Sequence, residues 1–362
     1  MELKEGMTLI SASGTIGRTV YCRPEMAGMW SSEDVMKIVP NPKKILPGYL
    51  FSFLKSRFGR PLVLSGTYGA IIQHIEPEPL HNLPVPRLDQ SIEKSIHAHI
   101  DRAARLRTEA AALRALSLLK ASTLFQWPTF PSRSVQSTAI FEVNQLDGNR
   151  FDALHYNPSS IESTQALADK KWTPRALNEI CRVFTPNIFK RHYVPDPAFG
   201  YPYLSGSELF EVTPECRGYL RKSGLDDYIV HANWLLIQDA GQLDGLIGQT
   251  LRVPALSHRA VVSNHLMRLA PHDPQNAGYI FAILTSDIGY RAILRHAFGT
   301  SIPQLDQAHI GAIQVPWPSE LHREDIGRPM KKSWEMVDQA HREEQMAIDA
   351  LEVEIVRLAG IE

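Results

Sequence analysis

The stretch GTSIPQLDQAHIGAIQVPWP, from Gly299 to Pro318, repeats a stretch found 230 positions upstream, GAIIQHIEPEPLHNLPVPRL, from Gly69 to Leu88. The same offset relates AGYIFAILTSDIG at Ala277–Gly289 to PGYLFSFLKSRFG at Pro47–Gly59 without a gap. Glycine, tyrosine, serine and proline stay in register over roughly eighty residues, which two unrelated helix-rich segments of similar composition would not do. The sequence therefore contains one domain-sized unit in two copies.

The two copies differ at their N-terminal ends. MTLISASGTIG at Met7–Gly17 corresponds to WLLIQDAGQLDGLIG at Trp234–Gly248 after a small insertion. Because residue 7 already aligns with residue 234, the part of the second copy from Leu146 to Val230 has no counterpart in the first. We therefore expect a first copy shortened by roughly ninety residues. Either the gene starts further upstream or the protein is a naturally shortened variant.

Several shared residues are interpreted as framework. Gly69 and Gly299 are expected to permit tight chain reversals ahead of a strand, because glycine adopts backbone angles closed to other residues. Tyr49 and Tyr279 lie on apolar helical faces and are expected in the core.

Each copy is followed by a predicted long helix, rich in Ala, Leu, Arg and Glu, whose apolar residues recur at heptad spacing. Over roughly thirty residues such a helix is about 45 Å long, and its narrow apolar stripe needs a partner. We expect the two helices to pair with each other antiparallel, with His341 and Glu344 interrupting the seam. Trp334 fits either a filler of this seam or a docking anchor for another protein. The predicted seam and docking residues are Ile92, Ile96, Leu106, Leu113, Trp334, Val337, Ile348, Leu351 and Ile355.

Composition excludes several classes of protein. Of the 362 residues, 44% are apolar and 21% charged, as in a globular protein, and no apolar run is long enough to span a membrane. Three cysteines without CxxC spacing favour a reducing cytoplasm and argue against a zinc site. The net charge of −1 conceals an uneven distribution, since the stretch from Glu320 onward carries 11 acids against 6 lysines and arginines. The remainder is mildly basic, which suits nucleic acid on the domains and protein partners on the helices.

The fold class expected from these patterns is α/β of the mixed α+β kind, with two repeated domains joined by two long antiparallel coiled-coil helices. The expected organisation is a shortened first domain at 1–87, a first spacer helix at 88–120, a Ser-, Thr- and Pro-rich connector at 121–141, a second domain at 142–318 and a second spacer helix at 319–362.

This order of parts resembles the specificity subunit of type I restriction–modification systems. The resemblance is carried by the two Val-Pro phrases ending each copy before a long helix, by LISASGTIGR at Leu9–Arg18, and by LDGNRFDALHYNP and GYPYLSGSEL at Leu146–Pro158 and Gly200–Leu209. It implies two target recognition domains, each binding one half of a split site in double-stranded DNA. It also implies spacer helices that set the distance between the halves and dock two methyltransferase subunits, with motor–nuclease subunits joining that core. S-adenosylmethionine, ATP and magnesium would belong to those partners, in adenine methylation and phage defence.

The resemblance implies no catalysis on this chain, and the motifs agree. The sequence has no GxxxxGK[ST] phosphate loop and no Asn/Asp-Pro-Pro-aromatic signature of an amino-methyltransferase. HREEQ at His341 is not the HExxH motif of a zinc enzyme. A nuclease or methyltransferase with drifted motifs is the rival enzymatic interpretation, and no cluster of acids with a lysine supports it.

The densest cationic stretch of the second copy, NIFKRHYVPDPAFGYPY, is a solvated surface or a DNA contact. Arginine pairs with guanine, and asparagine or glutamine with adenine, in the major groove, while lysines and arginines fix the frame through phosphates. The predicted DNA-binding residues are Asn187, Lys190, Arg191, His192, Tyr193, Arg217, Arg221, Lys222 and Gln242, with Thr15 and Arg18 in the first copy. The glycines of SGTIGR also fit a plain hairpin turn, which is the favoured interpretation for Ser13.

An alternative function follows from the shortened first copy. The chain would then be a truncated specificity subunit, working as a half-site reader in a dimer or as a scaffold or decoy without useful DNA readout.

Overall fold

The computed structural model describes residues 2–65, 67–68, 74–130 and 150–360, and it divides into two compact units. Unit 1 comprises Met1–Ala112 and Glu335–Glu362, and unit 2 comprises Leu113–Trp334. Both mix helices with sheets, which confirms the predicted fold class.

Unit 1 is built from a three-stranded sheet, a two-stranded sheet, three short helices and parts of two long helices. Its elements are β1 (Thr8–Ser11), β2 (Thr19–Tyr21), β3 (Val35–Ile38), α1 (Pro47–Lys55), α2 (Gly59–Ser65), β4 (Thr67–Tyr68), β5 (His74–Ile75), α3 (Pro77–His81), most of α4 (Gln90–Phe125) and most of the C-terminal helix α11 (Glu320–Ala359). The sheet has the order β2-β1-β3, with both pairings antiparallel. The apolar face of α1 packs with Ile10 of the sheet and with Ile96 and Leu351 of the long helices in one buried cluster.

Unit 2 contains the same parts and more. Its elements are α5 (Pro158–Leu167), β6 (Arg175–Ala176), α6 (Leu177–Ile180), β7 (Cys181–Phe184), β8 (Tyr193–Val194), β9 (Gly200–Leu204), α7 (Gly206–Leu209), β10 (Gly218–Arg221), β11 (Leu235–Gln238), β12 (Thr250–Arg252), β13 (Val261–Val262), β14 (Leu266–Pro271), α8 (Ala277–Thr285), α9 (Asp287–Leu294), α10 (Gln307–Gly311), β15 (Gln314–Val315) and the remainders of α4 and α11. Short 3-10 helices lie at Pro24–Met26 in unit 1 and at Lys170–Trp172, Pro197–Phe199, Asp226–Tyr228, Ala255–Ser257 and Pro274–Asn276 in unit 2.

Two four-stranded sheets form the body of unit 2. One has the order β12-β11-β14-β7 and is antiparallel throughout. The other has the order β13-β9-β10-β8, in which only the β13–β9 pairing is parallel. The strands β11, β12 and β14 repeat the arrangement of β1, β2 and β3.

The duplication is reproduced in individual hydrogen bonds. The hydroxyl of Tyr49 donates to the carbonyl of Pro86 at 2.6 Å, and that of Tyr279 donates to the carbonyl of Pro316 at 2.5 Å. Both tyrosines are fully buried, as the sequence predicted. Pro86 and Pro316 belong to the repeated Val-Pro phrases. The bond therefore joins this phrase to α1 in unit 1 and to α8 in unit 2.

A second pair of equivalent contacts explains the repeated Ser-x-x-Gly. The hydroxyl of Ser56 donates to Phe53 O and accepts from Gly59 N, and that of Ser286 donates to Ile283 O and accepts from Gly289 N. A Cβ on Gly59 would lie 1.9 Å from Phe53 O. Only glycine fits this corner.

The two predicted long helices are present as α4 and α11. Within unit 2 they run antiparallel. Arg114 of α4 and Trp334 of α11 both contact the Phe281 ring. Ser117, which comes later in α4, donates to the carbonyl of Ile326, which comes earlier in α11. Pro329 lies inside α11.

The remaining framework predictions have mixed outcomes. Gly299 has φ +97°, in the left-handed region expected for a chain reversal. Gly69, residues 131–141 of the predicted connector and residues 146–149 of the Leu146–Pro158 motif lie outside the described residues. In the described part of the chain, no helix is both long and apolar enough to cross a membrane.

Candidate nucleic-acid interface

The predicted cationic stretch of unit 2 lies on the sheet β13-β9-β10-β8. Tyr203 of β9 is fully buried, with its neighbour Gly218 on β10 and Tyr193 on β8 sharing its face. A Cβ on Gly218 would lie 3.1 Å from the Tyr193 ring, so glycine here lets that ring lie against the sheet. Tyr193 itself stays 53% exposed at the sheet edge, where a base or sugar could reach it.

Arg191 is held in place by an aromatic ring. Its guanidinium lies 5.2 Å from the centroid of the Tyr203 ring, a cation–π distance, and the Tyr193 ring meets Tyr203 edge-on at 6.3 Å. Among the described residues, the Arg191 guanidinium makes no hydrogen bond, so its donors point to solvent. Burial raises the pKa of Tyr203, and Arg191 only partly opposes this, so the phenol stays neutral. The result is an oriented arginine with free donors, which is what bidentate recognition of guanine requires.

The other predicted cations divide into engaged and available groups. Arg217 Nε lies 3.3 Å from the carboxylate of Glu208, and Lys222 Nζ donates to the carbonyl of Ala198 at 2.8 Å. The exposed residues are Asn187, Lys190, His192 and Arg221. Two of them are in contact, because Arg221 N donates to His192 O at 2.9 Å.

Gln242 lies in a second region, which we call the long turn (residues 238–249), between β11 and β12. Its side chain donates to Ser301 O at 3.2 Å, and Gly241 N donates to Pro303 O at 3.1 Å. The long turn is therefore tied to the loop that begins at Gly299.

Asp239, at the base of the long turn, was missed by sequence reasoning. It is 6% exposed, and burial raises its pKa to about 6 although His265 and Arg268 oppose the rise. His265 Nδ1 lies 3.4 Å from the carboxylate. The Arg268 guanidinium is fully buried and donates to the carbonyls of Val262, Ser263 and Leu266 at 2.5–3.0 Å. The one available signal was an arginine within the apolar strand LMRLAP.

Thr15 and Arg18 of unit 1 lie in the equivalent short turn (residues 11–18), between β1 and β2. Gly17 N donates to Ser11 O at 2.9 Å, as Gly248 N donates to Gln238 O at 2.9 Å in the long turn. Ser11, also missed from sequence, closes the short turn by donating to Thr15 O at 2.6 Å and accepting from Arg18 N at 2.9 Å. Thr15 is exposed and Arg18 half-buried.

The predicted seam residues of the long helices face mainly inward. Trp334 is 7% exposed, with the Phe281 ring at 5.4 Å and the Arg252 guanidinium at 5.3 Å, so its ring is committed to the core of unit 2. Ile96 and Leu351 are buried in unit 1. Half-buried positions are Ile92, Leu106, Leu113, Val337, Ile348 and Ile355.

Glu344, predicted to interrupt the seam, is the centre of a buried ion cluster in unit 1. Lys55 Nζ lies 2.6 Å and Arg107 Nη1 2.7 Å from its carboxylate. Burial acts to raise the pKa of Glu344, but Lys55 and Arg107 outweigh it and hold the pKa at about 2. Next to it, Glu343 accepts from His99 at 2.6 Å. The seam is broken by paired charges, not by unpaired ones.

Over the residues that the structure describes, no group of three or more His, Cys, Asp or Glu side chains is arranged to hold a metal ion. The surface of unit 2 around β8 presents exposed donors, one arginine over a tyrosine ring and an exposed tyrosine on the sheet β13-β9-β10-β8.

No family model and no curated protein matches the sequence. Among solved structures, the chain is similar to the type I restriction–modification system S subunit from M. genitalium, at 14% identity over 98% of this chain and 83% of that one, with a TM-score of 0.35. It is similar to the HsdS subunit from Thermoanaerobacter tengcongensis at 15% identity, over 97% and 80% of the two chains, with a TM-score of 0.33. A third similar chain belongs to a study of complex assembly and conformational transition of the type I R-M system, at 16% identity over 97% and 80%, with a TM-score of 0.33.

Proposed function

We propose that this chain is a non-catalytic, sequence-specific DNA-binding subunit, the specificity subunit of a type I restriction–modification complex. The observation that carries the proposal is the duplication. Two units repeat the same tyrosine, serine and glycine contacts, and each contains part of both long helices. Two similar readers on paired helices suit a DNA site with two halves.

Unit 2 supplies the sequence readout in this proposal. Arg191, oriented over Tyr203 with free donors, is the residue for bidentate contact with guanine in the major groove. Lys190 and Arg221, exposed near it, contact phosphates and fix the register, and Gln242 reads from the long turn.

The long helices dock the methyltransferase subunits in this proposal, through their outer faces. The seam residues are largely turned inward, whereas other large apolar side chains of the helices are exposed. These are Leu116 and Leu119 of α4 and Leu321, Met346, Val353 and Leu358 of α11. S-adenosylmethionine, ATP and magnesium bind to the partner subunits, and motor–nuclease subunits join through the complex.

The test is long-read sequencing of native host DNA with and without this gene, scoring methylated adenines. A split motif with two defined halves that disappears on deletion is the expected result. Unchanged methylation on deletion contradicts the proposal.

A half-site reader is the second candidate, and a specific observation favours it. Most predicted reading residues lie between Asn187 and Lys222, a region without counterpart in unit 1. A symmetrical motif, composed of one half-site twice, would identify two chains that each read with unit 2. Absence of any motif in both strains would favour a scaffold or decoy.

A further inference from the structure

One exposed residue interrupts the buried run that links the two four-stranded sheets of unit 2. From Val261 in β13 to Leu269 in β14, every residue is buried except His265. The His265 side chain is 54% exposed, and its Nδ1 atom lies 3.4 Å from the carboxylate of Asp239, which is 8% exposed. Within the part of the chain that the structure describes, Nδ1 is the only ring atom with a partner. The imidazole is therefore anchored through Nδ1, and Nε2 is left for a ligand.

A buried arginine fixes the loop that carries His265. The Arg268 guanidinium is 1% exposed and donates to three carbonyls of this loop, including that of Ser263 at 2.9 Å. Ser263 N in turn donates to Leu204 O of β9 at 3.1 Å, which joins the loop to the sheet that carries Arg191. A buried guanidinium is stable only when its donors are satisfied, so these bonds hold the loop in one conformation.

The brace of this loop is repeated in unit 1. Lys37 of β3, which aligns with Arg268, donates to the carbonyl of Ser32 at 2.7 Å, as Arg268 donates to that of Ser263. The brace therefore belongs to the duplicated framework, and it does not account for the imidazole of His265.

The pair formed by Asp239 and His265 is specific to unit 2. Asp239 N donates to His265 O at 3.1 Å, and the equivalent bond in unit 1 joins Ala12 N to Asp34 O at 2.7 Å. The backbone contact is kept while both side chains change, and the exposed position carries a negative charge in unit 1. The framework therefore requires neither the imidazole nor the carboxylate beneath it.

The buried carboxylate orients the imidazole and favours its charged form. Because burial raises the pKa of Asp239 only to about 6, this group is mostly ionised at neutral pH. The Arg268 guanidinium also faces that carboxylate, and the Tyr228 phenol faces Arg268. Nδ1–H of His265 therefore points to a negative charge, and Nε2–H of the protonated ring is a charge-assisted donor for an anion in the solvent.

His265 lies between the two regions that carry the proposed DNA contacts. Strand β13, which precedes it, pairs with Tyr203, the ring over which Arg191 lies, and its partner Asp239 is at the base of the long turn. We propose that His265 is an additional DNA contact whose Nε2–H binds a backbone phosphate, with Asp239 as its positioning residue. This inference rests on the proposed function and adds to it a contact that depends on pH.

The test is a titration of the full-length chain with a duplex carrying the methylated motif and with a scrambled duplex, at several salt concentrations. His265→Ala should weaken binding to both duplexes by about threefold to tenfold and reduce the slope of log affinity against log salt by about 1, because one phosphate contact is lost. The matched control is His272→Ala, an exposed histidine of unit 2 outside both reading regions, which should leave affinity and slope unchanged.

The pH dependence separates this contact from a structural role. The native chain should bind more tightly at about pH 6 than at about pH 8, and His265→Ala should remove that difference. His265→Lys should restore the affinity without the pH dependence, because lysine stays charged throughout this range. Asp239→Asn should move the pH dependence to lower pH, because the charge that favours the imidazolium is gone.

A double variant carries the side chains of unit 1 into unit 2. Asp239→Ala with His265→Asp should retain native stability in urea denaturation, since unit 1 makes the same backbone bonds with these residues. It should bind both duplexes more weakly than His265→Ala, because a carboxylate then faces the phosphate.

A loss of affinity confined to the motif duplex would overturn the inference, since a phosphate contact does not distinguish sequences. Native affinity, salt slope and pH profile in His265→Ala would also overturn it, while leaving the proposed function in place. A native chain that binds neither duplex would overturn both.

Discussion

Replacing Glu344 with glutamine should destabilise unit 1 by about 3 kcal/mol at neutral pH. A carboxylate whose pKa is lowered from 4.5 to about 2 gains about 3 kcal/mol from folding, at about 1.4 kcal/mol per pH unit. Glutamine retains the shape but leaves Lys55 and Arg107 facing a neutral group in a buried site, and breaking a buried ion pair typically costs 3–5 kcal/mol.

The pH dependence gives the sign of the effect independently. Because the folded-state pKa of Glu344 lies below its unfolded value, its contribution is complete above pH 4.5 and is lost as the pH falls from 4.5 towards 2. Native Glu344 should therefore make the free energy of unfolding fall in this window, and Glu344→Gln should remove that part of the slope.

The assay is urea denaturation followed by circular dichroism, at neutral pH and through the acid range. The matched control is Glu354→Gln on the same helix, whose exposed pairing with Arg357 is expected to contribute less than about 1 kcal/mol. Replacing Glu344, Lys55 and Arg107 together with methionine should recover most of the loss, since the three charges leave the buried site together. A Glu344→Gln protein with native stability and an unchanged acid slope would refute the reasoning.

Three further predictions concern the proposed DNA contact of Arg191 and the repeated framework residues. Arg191→Ala should weaken binding to the cognate site by about tenfold to a hundredfold and relax its specificity, in titrations against cognate and scrambled duplexes; a loss equal for both duplexes contradicts a base contact. Tyr49→Phe and Tyr279→Phe should each reduce the free energy of unfolding by about 1–3 kcal/mol in urea denaturation, because a buried carbonyl loses its donor; a silent substitution would show that water replaces the hydroxyl. Gly59→Ala and Gly289→Ala should each prevent normal folding of their unit, seen as loss of amide protection, because the added Cβ would lie 1.9 Å or 2.0 Å from a carbonyl oxygen.

The sequence allowed prediction of several features that the duplication marks twice. The buried tyrosines, the strand–turn of Leu9–Arg18 and the two long helices all follow from repeated residues or from helical periodicity. Proline disfavours the interior of a helix, yet α11 begins at Glu320 and contains Pro329. A Cβ on Gly278 of α8 would lie 2.6 Å from Gly327 O, so close packing of α11 supports the helix around this proline.

Contacts between distant parts of the chain left no local signal. Glu344 broke the heptad pattern in the sequence, and the lysine that compensates it lies 289 positions away. Likewise, nothing in the apolar run at Val261 indicated a parallel pairing with β9. Periodicity reports which face of an element is buried, and it does not report which element covers that face.

The turn after the first strand of each copy differs in length between the two copies. The short and long turns share their closing bonds, but the long turn has eight residues between Asp239 and Gly248 where the short turn has four between Ala12 and Gly17. Within residues 240–247, the exposed stretch 242–246 contains Gln242 and is free to differ, whereas Ile247 is fully buried in the core of unit 2.

Replacing residues 240–247 with Ser13–Ile16 should preserve the fold of unit 2, because the two turns close equivalent antiparallel strand pairs, β1–β2 and β11–β12, and Ile16 takes the place of the buried Ile247. The cost is the loss of the bonds to Ser301 and Pro303, about 1 kcal/mol each. Sequence discrimination should fall by at least about tenfold, while non-specific, salt-dependent binding through the lysines and arginines persists. The measurement is a titration with cognate and scrambled duplexes at two salt concentrations, beside a Gln242→Ala chain that keeps the full-length turn. If the transplanted chain still discriminates as the native one does, the long turn is framework, and readout lies with Arg191 and its neighbours on the sheet.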